Sequence, residues 1–313
     1  MSIFQCKEYW STSVGKNEEF DCNSICVGNI DNDKNKSTKI AISSFQGILR
    51  IFEPIFGEYK LEHCLLDKNM GEPIYQIALG NIVINSNDKQ MIILYKKKIQ
   101  VIQFYDLKST STNKICFEHK LLRTGFNFCL GKIGDKGHDI IFVQSVDGVI
   151  SIIEQDSIVN NVELYEMILP GCISYIDKKD YLILSTSSYE IECYSYSNLA
   201  TVKSGKNNTD NKIIHNWVVN IGEIVKEMKV ITNILTKRQE IFVLTDTVVF
   251  MINTNGQIIF QKKLDYEPLT CFIYNIEDPN YVLNKNINIM QMVASDNGHI
   301  MVYKGSTLSW AFK

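Results

Sequence analysis

The stretch Gly28-Asn29-Ile30-Asp31-Asn32-Asp33-Lys34-Asn35 sets oxygen-bearing side chains at alternate positions, the spacing with which short loops wrap a calcium ion. Asp31, Asp33 and Asn35 are its candidate metal ligands. Two features oppose that reading. The position four after Asn35, where such a loop needs another carboxylate, is Lys39, and Lys34 and Lys36 add further positive charge. The alternative is an Asx-type turn between strands, its side-chain oxygens accepting from backbone N–H groups. A related loop, Gly131-Lys132-Ile133-Gly134-Asp135-Lys136-Gly137-His138-Asp139, keeps glycines but lacks most of the acids.

Other reactive residue types are dispersed. The nine cysteines contain no C-x-x-C pair, the nearest being Cys22 and Cys26. Cys64, Cys116, Cys129 and Cys193 lie in strand-like runs, where a thiol behaves as a small hydrophobe. The five histidines (His63, His119, His138, His215, His299) have no recurrent partner, and no G-x-S-x-G elbow is present. Ser204-Gly205-Lys206-Asn207 lacks the preceding Gly of a phosphate loop, and Gly131, Gly134 and Gly137 lead into a strand rather than a helix. Short lysine clusters at 96–98, 178–179 and 262–263 fit β-edge protection, and Trp10, Trp217 and Trp310 fit packing. The expectation is no catalytic residue and no cofactor.

The elements that would position these residues are β-strands. Three hairpins are spelled nearly alike: Ser44-Phe45-Gln46-Gly47-Ile48-Leu49-Arg50-Ile51-Phe52, Ser145-Val146-Asp147-Gly148-Val149-Ile150-Ser151-Ile152-Ile153 and Ser295-Asp296-Asn297-Gly298-His299-Ile300-Met301-Val302-Tyr303. Gly47, Gly148 and Gly298 are the structural turn residues, each supplying the positive φ of a tight turn. Weaker copies end at Lys98, Ser188 and Thr247, so successive turns are 51, 50, 40, 59 and 51 residues apart. A period near 50 residues of β signal predicts a β-propeller, one blade per repeat.

Four strands per repeat can be read directly. The first repeat offers 24–29, 39–43, 48–52 and 60–66; the third 127–132, 139–144, 148–155 and 163–169; the fifth 224–231, 240–244, 248–253 and 257–264. Second strands are continuous apolar runs (91–94, 140–143, 182–184, 241–244), as for strands covered on both faces, whereas fourth strands alternate and suit a wet rim. Helix should be scarce, and the polar stretch 201–211 reads as a surface loop.

The fold class is thus all-β, with six four-stranded blades at roughly 23–66, 74–121, 127–169, 172–219, 223–264 and 269–311. Residues 3–10 also read as a strand, of the kind that closes a propeller by completing its last blade. That implies an incomplete seventh blade. About 400 Å² of uncovered apolar blade face forfeits roughly 10 kcal/mol, comparable to the whole stability of a domain. The chain is therefore expected to belong to a longer protein or to lack its final blade.

Composition agrees. With 313 residues and 45% hydrophobic content, one large β domain can bury its core. The net charge of −3 argues against a nucleic-acid surface. No apolar run approaches the length of a transmembrane helix, and residues 1–10 lack the apolar core of a secretion signal.

Particular spellings add to the pattern. Met1-Ser2-Ile3-Phe4, Trp10-Ser11-Thr12 and Glu18-Glu19-Phe20-Asp21 open a colinear series. It continues through Asp31-Asn32, residues 44–52, Glu118-His119, Arg123-Thr124, residues 144–148, residues 154–157 and Leu169-Pro170-Gly171. Asn220-Ile221-Gly222-Glu223, Asn255-Gly256-Gln257, Lys262-Lys263-Leu264-Asp265 and Trp310-Ala311 complete it. The series resembles the N-terminal region of the parathyroid-hormone-responsive B1 family, Bardet–Biedl syndrome subunits of the BBSome, and weakens at 174–188 and 201–211.

The resemblance implies a seven-bladed propeller in a coat-like complex that moves membrane proteins into and out of cilia. Its implied partners are the other BBSome subunits and, indirectly, an Arf-like small GTPase and ciliary membrane cargo. Its implied location is the cytoplasm, the ciliary membrane and the centrosome or basal-body region. It carries over no catalytic or cofactor residue. The expected function is a rigid protein-interaction scaffold; the alternatives are a propeller of another vesicle-coat or intraflagellar transport complex, or a calcium-binding propeller using the Asp31 loop.

Overall fold

Apolar runs of four to eight residues, punctuated by Gly, Asn, Asp and Ser, can satisfy their backbone by pairing with the next run along the chain. The computed structural model describes residues 8–108, 112–134, 136–164, 169–202, 213–234, 236–275 and 289–312. Within them, 24 strands form six four-stranded antiparallel sheets, each in simple sequential order. The fold is all-β, and the sheets are propeller blades.

Blade 1 is β1 (Ile25–Gly28), β2 (Lys39–Ser43), β3 (Ile48–Phe52) and β4 (Cys64–Asn69). Blade 2 is β5 (Ile74–Gly80), β6 (Gln90–Tyr95), β7 (Lys98–Tyr105) and β8 (Thr112–Lys120). Blade 3 is β9 (Gly125–Lys132), β10 (Asp139–Ser145), β11 (Val149–Glu154) and β12 (Ser157–Glu163). These three make one compact unit.

The other unit holds the remaining blades. Blade 4 is β13 (Ile173–Ile176), β14 (Tyr181–Ser185), β15 (Glu190–Ser195) and β16 (Trp217–Asn220), with one short helix, α1 (Tyr196–Thr201), after β15. Blade 5 is β17 (Val225–Thr232), β18 (Gln239–Thr245), β19 (Val248–Asn253) and β20 (Ile258–Lys263). Blade 6 is β21 (Pro268–Asn275), β22 (Ile289–Ser295), β23 (Ile300–Lys304) and β24 (Thr307–Phe312).

Cores lie between successive blades of a unit. Ala41, Leu49 and Ile51 of blade 1 meet Ile77, Met91 and Ile93 of blade 2, and the opposite face of blade 2 (Ile92, Leu94, Val101) meets Phe128, Ile141 and Val143. In the other unit Ile183 and Ile191 pack on Ile241, Val243 and Phe250, while Phe242, Leu244 and Met251 pack on Val293 and Tyr303. Strands β6 and β10 are buried along their whole length because alternate side chains enter opposite cores. First strands of neighbouring blades touch within each unit, β1 on β5, β5 on β9, β13 on β17 and β17 on β21.

Three strand expectations are corrected. The alternation at residues 60–64 is a 3-10 turn, Leu61–His63, and β4 starts only at Cys64. His63 is drawn inward instead: its Nδ1 accepts from Trp10 Nε1 at 3.0 Å and from Lys60 N at 3.3 Å. The fourth strand of blade 3 is 157–163 rather than 163–169, because the hairpin turns early at Gln155, which takes φ +55° without being glycine. In the expected closing strand 3–10, Glu8, Tyr9 and Trp10 are not strand; the Trp10 ring packs on Phe52 and Tyr59. Residues 3–7 lie outside the described residues, as do 203–211 of the polar loop, whose Thr201 ends α1.

Gly47, Gly148 and Gly298 have φ of +83°, +83° and +79°. At Gly47 the requirement is doubled, since a Cβ there would lie 2.5 Å from the Glu72 carbonyl oxygen.

Candidate functional site

The β1–β2 loop shows what its acids do. Asn32 and Lys36 take left-handed backbone, φ +56° and +53°, and fold the loop back on itself. Asn29 Oδ1 accepts from Asp33 N at 2.9 Å, Asp33 Oδ1 from Asn35 N at 3.1 Å and Asp33 Oδ2 from Ser37 Oγ at 2.8 Å. Asp33 and Asn35 thus share an Asx turn, to which Asn35 gives its backbone N–H. The hydrogen bond from Asn35, with that from Ser37, holds the Asp33 carboxyl below its usual range.

The place of a cation is taken by the chain itself. Lys39, the first residue of β2, is wholly buried, and its Nζ lies 2.7 Å from Asp31 Oδ1, 2.7 Å from Ser37 Oγ and 4.0 Å from Asp33 Oδ2. A buried carboxylate needs a counter-charge, and a tethered ammonium supplies it. Among the described residues no group of three or more His, Cys, Asp and Glu is arranged to hold a metal ion.

Lys39 is one case of a repeated device that the apolar patterning hides. The first residue of the second strand is polar and buried in four blades: Lys39, Gln90, Asp139 and Gln239. Each fastens a loop. Gln90 Oε1 accepts from Ile82 N at 2.7 Å, Asp139 Oδ2 from Asn81 N at 2.8 Å and Gln239 Oε1 from Lys178 N at 2.8 Å. The last two join a blade to its predecessor, as do Asn32 to Lys89 N at 2.6 Å and Gln76 to Phe128 N at 2.8 Å. The signal was present in sequence as a polar residue one position before the apolar run at Lys39, Gln90 and Asp139 and two before it at Gln239, with Gly28-Asn29-Ile30 and Gly80-Asn81-Ile82 as matching loop starts.

The histidines among the described residues have structural partners. His119 Nε2 meets Gln155 O at 2.8 Å, His138 Nε2 meets Glu154 Oε1 at 3.0 Å and His215 Nδ1 meets Tyr194 OH at 3.1 Å. Burial pushes the Cys26 and Cys193 thiols up to about 12, which leaves them protonated and poorly nucleophilic at neutral pH. Trp217 donates Nε1 to Thr254 O at 3.1 Å, and Trp310 stacks on Phe312 with centroids 5.0 Å apart. Residues 204–207 lie outside the described residues.

What remains is surface. Ile25 and Val27 of β1 are exposed, with Ile42 and Ile40 as their cross-strand neighbours, on the face of blade 1 opposite to Cys26 and blade 2. On blade 6, Phe272 is 63% exposed and stacks with Tyr274. Exposed apolar strand faces with polar surroundings suit contact with protein.

Comparison with known proteins fits this picture. The family model described as PTHB1 N-terminal matches residues 1–313. Protein PTHB1 of Xenopus laevis is 32% identical over 99% of this chain and 38% of its own length; Protein PTHB1 of Homo sapiens is 30% identical over 99% and 36%. The chain therefore spans under two-fifths of these relatives. Among solved structures, BBS1N in complex with ARL6DN is similar at a TM-score of 0.65 with 12% identity, over 94% of this chain and 81% of that one. Sqt1 of Saccharomyces cerevisiae follows at 0.61 with 12% identity, over 86% and 69%. At such identities the likeness is one of fold. The sequence match along all 313 residues is more specific, and by it the chain belongs to the PTHB1 N-terminal family.

Proposed function

We propose that this chain is a non-catalytic docking module of the BBSome, serving the movement of membrane proteins to and from the primary cilium. The observation that carries the reading is the family match over residues 1–313. The fold likeness to BBS1N, a protein crystallised with ARL6DN, supports a propeller scaffold in the same kind of assembly. The partners proposed are the other BBSome subunits, with an Arf-like small GTPase and membrane cargo reached through them. The locations proposed are the cytoplasm, the cilium and the basal-body region.

The mechanism is rigid presentation. Blades locked by inter-blade hydrogen bonds hold their short turns in place before a partner arrives, so little ordering entropy is lost on association. The alternative calcium reading is disfavoured by Lys39 Nζ standing 2.7 Å from Asp31. Affinity purification of the endogenous full-length product from ciliated cells tests the proposal. Recovery of the other BBSome subunits is expected; an intact bait that brings down none of them would overturn it.

A further inference from the structure

The β13–β14 turn and the β17–β18 turn of adjacent blades face a shared cavity of about 710 Å³. Its wall carries Lys178 and Lys179 from the first turn and Lys237 and Arg238 from the second, with Glu240 as the one acid among the described lining residues. None of these four cations forms a salt bridge among the described residues, although most of the protein's ion pairs use lysines elsewhere. Four cations around one concavity, with Glu240 opposing Arg238, repel one another and attract a ligand of opposite sign.

The arrangement is built rather than incidental. Gln239, buried at the start of β18, accepts from Lys178 N at 2.8 Å, and Lys178 Nζ also donates to the Lys237 carbonyl. Lys237 sits at φ +57°, where its N–H donates to Asn233 O at 2.8 Å. The lining also includes the β19–β20 turn, in which Asn253 Oδ1 accepts from Asn255 N at 2.9 Å and Gln257 N at 3.0 Å. Two loops bearing cations are therefore fastened to each other, and the polar turn that completes the lining is fastened to itself. Burial holds the Glu240 carboxyl above its usual range, against the lowering effects of Asn233 and Arg238.

We propose that this cavity binds a small molecule carrying several phosphate groups, its phosphates spread between the Lys178–Lys179 turn and the Lys237–Arg238 turn. The volume is several times what a single phosphate fills, and cations on two separate turns suit phosphates on separate atoms of one ring or chain. The same chemistry is found on soluble polyphosphates and on phosphorylated lipid headgroups. The inference does not depend on which protein partners the chain has.

The test is calorimetric titration of the full-length protein with inositol hexakisphosphate, with inorganic phosphate as comparison. A second arm measures co-sedimentation with phosphatidylcholine vesicles with and without a phosphoinositide bisphosphate. Lys179→Gln/Arg238→Gln removes two exposed charges that anchor no loop; Lys178→Gln/Lys237→Gln is the second pair, and Lys96→Gln/Lys97→Gln in blade 2 is the control. Saturable hexakisphosphate binding, weakened about tenfold or more by either cavity pair and by added salt but not by the control, is the expected result. Binding to vesicles that requires the bisphosphate and the cavity pair supports the lipid source, and binding in solution alone supports the soluble one. No binding in either arm, or binding that survives both cavity pairs or falls equally in the control, overturns the proposal.

Discussion

Lys39 shows how one side chain decides the character of a loop. Its buried ammonium compensates Asp31, so Lys39→Met should leave an isolated carboxylate inside the fold and destabilise the protein by about 3–5 kcal/mol in urea unfolding. Lys39→Met/Asp31→Leu should recover most of that loss, and a single variant as stable as the parent would refute the pairing. A second residue-scale prediction concerns acid. Glu18 accepts from Arg50 at 2.9 Å, and this hydrogen bond lowers its carboxyl below the ordinary 4.5. A depressed carboxyl contributes stability that is present above 4.5 and is lost as pH falls through the lowered value. Melting curves of Arg50→Gln should therefore fall less steeply with acid than those of the parent; identical slopes would contradict the assignment. The opposition of Lys39 to a metal is visible in sequence, but not that its side chain ends on Asp31 rather than in solvent, because that depends on how the loop folds back at Asn32 and Lys36.

At the scale of elements, turn glycines differ in what they tolerate. Gly298→Ala meets open space and should lose about 1–2 kcal/mol from its left-handed backbone alone. Gly47→Ala adds a backbone collision with the Glu72 carbonyl and should lose clearly more. Equal losses in thermal unfolding would contradict the close approach. Legibility follows the same physics. Second strands could be read because cores on both faces force an unbroken apolar run, as in Met91–Leu94. The Gln155 turn and the 3-10 turn at Leu61–His63 could not, since the first uses a residue with no special turn signature and the second depends on Trp10, far away in sequence. What escaped at Gln90, Asp139 and Gln239 is burial, because a polar residue that opens an apolar run reads as a solvent-facing strand end, whereas here it is a buried fastening.

On the scale of the whole molecule, the chemistry of these residues is spent on holding blades together. Histidines meet a backbone carbonyl, a carboxylate and a hydroxyl, buried thiols stay protonated, and acids cap turns or pair with buried cations. The docking role proposed above rests on the family match over residues 1–313, in a family whose relatives are more than twice as long as this chain. The most direct measurement is reconstitution: the full-length protein is mixed with the remaining purified BBSome subunits and the mixture resolved by size-exclusion chromatography. The account predicts co-elution in one stoichiometric complex. Elution of a folded protein apart from a preformed complex of the others would contradict it.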